Sequence, residues 1–317
     1  YMDLNFSKIK ILLIGDFMLD HYIMGSSNRL SPEAPVPVII PEKSFSIPGG
    51  AGNVAMNLAE LGANINCVGL VGDDKWGKLL IKIMEDKNID TSGIEIAKNF
   101  PTTIKKRIYS NGKQIARLDK EKKIKWKIND NIFEDTGSYD IVILSDYNKG
   151  VLSSPQSVIK NIQSKDAIKK IDIIVDPKKN DFKHYQNASI ITPNLKELQK
   201  SSNCDINDEM SIIDACSSLI EKHNFDYICA KKGEKGMSIV GKNGFLKNIE
   251  PHFVNNPDVT GAGDTAISAL TITYALTKDI EFSAKIANAA ASIAVSKAGT
   301  AMVSIEELNK LISIKTN

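Results

Sequence analysis

Apolar and polar positions along the chain fall into two patterns that take turns. Ile9–Gly15, Ile65–Gly72, Tyr139–Ser145, Ile171–Asp176, Ala188–Thr192 and Phe225–Ala230 are short apolar runs rich in Ile and Val, each bounded by Gly, Pro, Asp or Asn. Runs of that kind predict strands buried on both faces. Between them, Val54, Leu58 and Leu61 recur at i, i+4 and i+7, and Ile212, Ile213, Ala215, Cys216, Leu219 and Ile220 form a wider stripe. Both spacings predict helices with one apolar face. In the last third, Gly261–Leu276, Ile280–Lys297 and Ser304–Ile314 predict consecutive helices, with Ala287, Ala289, Ala290 and Ala291 allowing close packing. Strand alternating with helix predicts a doubly wound α/β fold, a mostly parallel sheet flanked by helices.

Two segments interrupt the alternation. Tyr22–Pro48 carries four prolines ahead of Pro48 and strand-like pieces such as Val36–Ile40, and Thr102–Leu118 alternates as exposed strands do. They predict a small β lid (about 22–48 and 102–118) on one domain spanning 1–317. Lys120–Lys127 is a charge run, read as a solvated turn.

Composition narrows the function classes. The 317 residues are 42% hydrophobic and 25% charged, ordinary for a globular chain, and 40 Lys+Arg against 38 Asp+Glu leave a net charge of +2. Such a balance offers no overall attraction for nucleic acid or an anionic membrane. The longest apolar stretch, Ala266–Leu276, is far short of a membrane span, and the first residues lack the basic and apolar regions of a secretory leader. Cys67, Cys204, Cys216 and Cys229 have no CxxC spacing, and His21, His184, His223 and His252 no metal-binding spacing. The cysteines read as small hydrophobes in a reducing compartment, the cytoplasm.

The chemistry concentrates in Asp258-Val259-Thr260-Gly261-Ala262-Gly263-Asp264, just ahead of an apolar helical pattern. Gly261 and Gly263 permit a tight turn whose amides converge at a helix start, a ready site for an anion. Asp264 then stands in the first turn of that helix, placed to take a proton from an attacking hydroxyl.

The seven-residue string resembles the C-terminal signature of the ribokinase-like (PfkB-type) sugar kinases. Gly49-Gly50-Ala51-Gly52-Asn53-Val54-Ala55 resembles that family's early glycine pair, Thr192-Pro193-Asn194-Leu195-Lys196-Glu197 its Asn-x-x-Glu motif, and Lys232-Gly233-Glu234-Lys235-Gly236 its nucleotide loop. All four stand in the family's order across nearly the whole chain. Asn28–Val38, Leu144–Gly150, Asp176-Pro177-Lys178 and Asp181-Phe182 further resemble the D-glycero-β-D-manno-heptose-7-phosphate kinases of ADP-heptose synthesis. In that subfamily the kinase stands alone or is fused to an adenylyltransferase. This chain has no His-x-Gly-His nucleotidyltransferase motif, so it is expected to be the kinase part only. Two departures stand out: Pro257 replaces an expected aromatic residue, and Lys231-Lys232 replaces a Thr-Arg pair.

The resemblance implies an ATP-dependent transfer with Mg²⁺ and leaves a monovalent cation requirement open. Asp264 is the implied general base, and the amides of Gly261, Ala262 and Gly263 the anion hole. Asn194 and Glu197 are expected either to order Mg²⁺ through its waters or to form a helix capping box, two roles that can coexist. Thr260, Lys232, Gly233, Gly236 and Asn288 are the remaining nucleotide-side candidates. For the sugar phosphate, Asp20 is the implied hydroxyl acceptor, Asp16 a second contact or a turn residue, and Gly49, Gly50 and Asn53 the backbone approach. Lys149, Lys178, Arg107 and Arg117, in that order, are candidates for the acceptor's phosphate. The lid strands are expected to pair two copies into a homodimer. A kinase for another sugar and a catalytically silent binding protein remain as alternatives. A dinucleotide-binding dehydrogenase does not, because Gly15-Asp16-Phe17-Met18-Leu19-Asp20 follows the first strand in place of GxGxxG.

Overall fold

A computed structural model describes residues 4–165, 170–252, 254, 258–297 and 301–315. Pro257 lies outside the described residues. The chain enters on β1 (Lys10–Gly15), β2 (Phe17–Ser26), β3 (Ile40–Gly50) and helix α1 (Ala51–Glu60). It continues through β4 (Asn64–Gly72), α2 (Lys75–Glu85), β5 (Asp90–Ala97), β6 (Thr103–Ser110) and β7 (Lys113–Lys120). Next come β8 (Ile141–Ser145), α3 (Pro155–Lys165), β9 (Asp172–Asp176), β10 (Ile190–Ile191), α4 (Leu195–Ser202) and α5 (Glu209–His223). The last elements are β11 (Tyr227–Lys231), β12 (Met237–Gly241), β13 (Leu246–Ile249), α6 (Ala262–Thr277), α7 (Ile280–Val295) and α8 (Ile305–Lys315).

Among the described residues, nine strands form one sheet in the order β13-β12-β11-β10-β9-β8-β1-β4-β5, parallel except where β12 runs against its two neighbours. The apolar runs are continuous because the sheet is covered on both faces. Ile11, Leu13, Ile141, Ile143 and Ile174 pack into one core with α1, α6 and α7, and the alternate residues Leu12, Ile14, Val142, Leu144 and Val175 into a second with α3 and α5. The expected doubly wound fold is the observed one. The expected strand at Ala188–Thr192 shrinks to two residues, and β12 and β13 add an antiparallel edge that the helical reading of the last third passed over.

From β1 the chain departs toward β4 and β5, and later returns to β1's other side with β8. That reversal makes the carboxyl ends of β1 and β8 a topological switch point, where a crevice opens in sheets of this kind.

The interrupting segments form a four-stranded sheet, β3-β2-β6-β7. It is larger than expected: β2 starts at Phe17, one residue after β1, so Asp20 lies within the lid and not in a loop after the first strand. The strand-like Val36–Ile40 is not a strand; Pro37 makes only an isolated bridge to Leu30, and pairing starts at Ile40. Pro32, Pro35 and Pro37 lack the N–H that a ladder needs. The charge run after Lys120 is only partly solvated, because Ile124 and Trp126 turn inward onto the second core between exposed lysines.

Candidate active site

Asp264 stands in the first turn of α6, behind Gly261, whose φ of +78° opens the turn. Its carboxylate is held from two other elements. Asn53 Nδ2, on α1, donates to Oδ2 at 2.7 Å, and the Tyr147 hydroxyl, from the loop after β8, donates to Oδ1 at 2.6 Å. Burial pushes the Asp264 carboxyl up to about 6, with those two hydrogen bonds and the nearby Lys231 ammonium pulling down and Asp176 pushing further up. A carboxylate tuned close to neutrality is suited to accept a proton in the course of reaction. A Cβ placed on Gly263 would meet nothing within 4 Å, so the turn faces open space. Of the expected anion-hole amides, that of Ala262 donates to the Val259 carbonyl at 3.3 Å. The Thr260 amide donates to Asp258 Oδ1 at 3.1 Å.

Asp264 is fixed from below by a relay that the sequence did not disclose. Thr265 Oγ1 donates to Asn57 Oδ1 at 3.0 Å, and Asn57 Nδ2 donates to the Asn53 carbonyl at 2.9 Å and to Asn53 Oδ1 at 3.3 Å. The Asn53 amide is thereby oriented with its NH₂ toward Asp264. Asn57 is buried and sits one turn after Asn53 on α1.

Lid and sheet meet at the glycine pair. Gly50, at φ +58° and ψ −132°, precedes α1 in a conformation only glycine adopts readily, and a Cβ there would press to 2.6 Å from the Asp16 carbonyl. A Cβ on Gly49 would lie 2.5 Å from Asp20 Oδ2. The Asp20 carboxylate therefore rests directly on backbone, with Arg107 Nη1 of β6 bonded to its Oδ1 at 2.6 Å and the guanidinium stacked over Tyr22 at 5.3 Å. Both side chains of this ion pair are more than four-fifths buried.

Asp16 is engaged by backbone. Its carboxylate accepts from the amides of Tyr147, Lys149 and Val151 at 2.9, 3.0 and 3.1 Å, which shapes the loop that presents Tyr147. The phosphate candidates are scattered among separate partners. Lys149 pairs with Glu121, Lys178 with Glu197 at 3.2 Å, and Arg117 forms a two-point pair with its strand neighbour Asp119 on the exposed β7. Arg107 alone of the four stands beside Asp20.

On the other side of Asp264, Asn194 and Glu197 form a complete capping box at the start of α4: Asn194 Oδ1 accepts from the Glu197 amide at 2.9 Å and Glu197 Oε2 from the Asn194 amide at 3.0 Å. Glu197 Oε1 accepts from Lys178 Nζ at 3.2 Å, so both oxygens of this carboxylate have a partner within the protein. Gly233 and Gly236 both take positive φ in the turn between β11 and β12. Lys232 points away, its ammonium held by Glu209 at 2.8 Å and Asn248 at 2.6 Å. Asn288 of α7 donates to the Glu250 carbonyl at 2.5 Å. Tyr147, Asp176 and Lys231 were not singled out as functional by residue type, although Tyr147 and Asp176 lie in the strings that carried the resemblance and Lys231 was a departure from it.

The fold and the site together define a sugar kinase of the ribokinase type. Residues 8–307 match the pfkB family carbohydrate kinase, and the chain belongs to that family. It is 37% identical over 313 residues to the bifunctional protein HldE of Shewanella sp. (strain MR-4), covering 98% of this chain and 64% of that protein. It is 39% identical over 312 residues to HldE of Helicobacter pylori, covering 96% of this chain and 66% of that protein. This chain thus spans about two thirds of the length of these relatives. Among solved structures, ribokinase of Arabidopsis thaliana with ribose and ATP superposes with a TM-score of 0.80 at 20% identity, covering 96% and 98% of the two chains. Phosphofructokinase-2 of Escherichia coli with potassium gives 0.78 at 19%, covering 98% and 100%.

Proposed function

We propose that this chain transfers the terminal phosphoryl group of ATP to the anomeric hydroxyl of D-glycero-β-D-manno-heptose 7-phosphate, giving the 1,7-bisphosphate and ADP in the supply of ADP-heptose for lipopolysaccharide core. The observation that carries the transfer is Asp264, tuned to about 6 and clamped by Asn53 and Tyr147 at the mouth of the α6 turn. Asp264 takes the hydroxyl proton as the sugar oxygen attacks phosphorus, and the turn at Gly261–Gly263 stabilises the charge that builds on the transferred group. The paired Asp20 and Arg107 orient the sugar from the lid side. The subfamily strings, with the similarity to two HldE proteins, support heptose phosphate over other sugars.

Among the described residues no group of three or more His, Cys, Asp or Glu side chains is placed to hold a metal ion directly. Mg²⁺ keeps its waters and binds mostly through phosphate oxygens. Glu197 and Asn194 would hold it through those waters, and its role is to neutralise the phosphate charge. No helix among the described residues is long and apolar enough to cross a membrane. Four free cysteines fit a cytoplasmic enzyme. The lid's outer strand β7 is exposed over all eight residues, with Ile115 and Leu118 among them, which supports pairing of two lids in a homodimer. Sedimentation of the purified chain tests that.

The decisive experiment is product analysis with ATP against a panel of sugar 7-phosphates, sugar 6-phosphates and free sugars. Preferential conversion of the heptose 7-phosphate to a bisphosphate is expected. A higher kcat/KM for ribose or fructose 6-phosphate would leave the kinase standing and overturn the heptose assignment.

A further inference from the structure

β11 ends on Lys231, and β9 ends on Asp176, with only the two-residue β10 between them. Across that gap Lys231 Nζ donates to Asp176 Oδ1 at 2.7 Å, and Thr192 Oγ1 donates to the same oxygen at 3.3 Å. The backbone of Lys231 is fixed as well: its amide donates to the Pro193 carbonyl at 2.8 Å and it bridges Asn194, the capping residue of α4. Its side chain is 19% exposed, the partner carboxylate 15%. The fields of Asp176 of β9, Glu197 of α4 and Asp264 of α6 keep this ammonium protonated against the cost of burial. Lys178, which pairs with Glu197, is half exposed and at the rim.

Three carboxylates around a crevice are a poor reception for a polyphosphate. Like charges repel more strongly where protein displaces the water that would screen them. A buried cation lodged among them offsets part of that negative charge and gives a phosphate oxygen one favourable partner. The end of the strand separates two adjacent lysines: Lys231, the last residue of β11, pairs with Asp176, while Lys232, in the turn that follows, is held by Glu209 and Asn248.

We propose that Lys231 is a phosphate-binding residue of the transfer site, its ammonium group held ready by Asp176 to receive an oxygen of the nucleotide's terminal phosphates beside Asp264. The proposal rests on the kinase reading above and deepens it. It assigns to this chain a fixed positive charge at a position where the resemblance led us to expect a threonine.

The test is nucleotide binding by calorimetry without sugar, on the full chain, comparing ATP with AMP. Lys231→Met is expected to weaken ATP roughly ten- to hundredfold, as loss of one charge-assisted contact does, and to leave AMP within twofold. Lys231→Arg is expected to restore most of the ATP affinity. If Lys231→Met does not fold, Lys231→Met with Asp176→Asn removes both charges and carries the same comparison. Unchanged ATP affinity in a folded variant with a lowered Tm would overturn the proposal and leave Lys231 as a tie between strands. Equal weakening of ATP and AMP would overturn it too. A wild-type chain that binds no nucleotide would overturn the kinase reading along with it.

Discussion

Replacing Asp264 by Asn separates the two demands the fold makes on this carboxylate. Asn retains the size and helix-start position but accepts no proton, so turnover should fall by roughly 10²–10⁴-fold. Stability should move the other way. The folded protein holds the Asp264 proton up to about pH 6, whereas an unfolded aspartate releases it near 3.8. The folded state therefore binds the proton more tightly, and stability is lost as pH rises from about 4 to about 6, with the penalty complete above that. Roughly two units at about 1.36 kcal/mol each give about 3 kcal/mol of penalty at neutral pH. Asp264 is partly exposed, and Asn would face the Asn53 NH₂ with one fewer acceptor, so we expect a net gain nearer to about 1–2 kcal/mol. For a chain of this size that is a Tm rise of roughly 1.5–3 °C. Thermal unfolding of both proteins at pH 7.5 and pH 4 reads it: the variant should be the more stable at pH 7.5, and the two should converge at pH 4. A variant less stable at pH 7.5 by the same margin as at pH 4 would refute the burial argument, and one keeping more than a tenth of wild-type turnover would remove Asp264 as the base.

Tyr147→Phe deletes a hydrogen bond that favours the ionised Asp264, so the acid limb of kcat/KM should shift to higher pH than the wild-type limb near 6; an unmoved limb would show that the hydroxyl does not act on Asp264. Arg107→Ala should raise KM for the sugar phosphate by roughly ten- to hundredfold with little change in KM for ATP, and Lys178→Ala, whose partner is Glu197, should do less to the sugar. Asn194→Ala with Glu197→Ala should both raise the Mg²⁺ concentration for half-maximal rate and lower Tm, since the capping box is real; a fall in Tm alone would leave only the cap. Gly49→Ala should weaken the sugar by displacing Asp20, read as a higher KM at similar kcat.

The fold class and the placement of Asp264 at the start of α6 were legible in sequence for local reasons. Strands buried on both faces must be apolar at every position, so β1, β8 and β9 announced themselves as Ile- and Val-rich runs. The turn before α6 needs glycine where φ is positive, and Gly261 stands there with Asp264 three residues on. A capping box is likewise a four-residue pattern, and Asn194 and Glu197 form it as their spacing predicts. β10 and β13 were less legible because pieces of two and four residues carry little period to detect.

What the chain could not state locally is which distant groups share a charge environment. Asn53 and Asp264 are 211 residues apart and Tyr147 and Asp264 are 117 apart, and only packing of α1 and the β8 loop onto α6 joins them. Residue type marked Lys149, Lys178, Arg107 and Arg117 alike as cations; tertiary placement gave each a different carboxylate and brought Arg107 alone to Asp20. The same holds for Lys231 and Lys232, identical in type and adjacent in sequence. Sequence determined the turns, caps and buried strands, because those depend on neighbours along the chain. Pairing, burial and the tuning of Asp264 depend on neighbours in space, and the folded sheet alone supplied them.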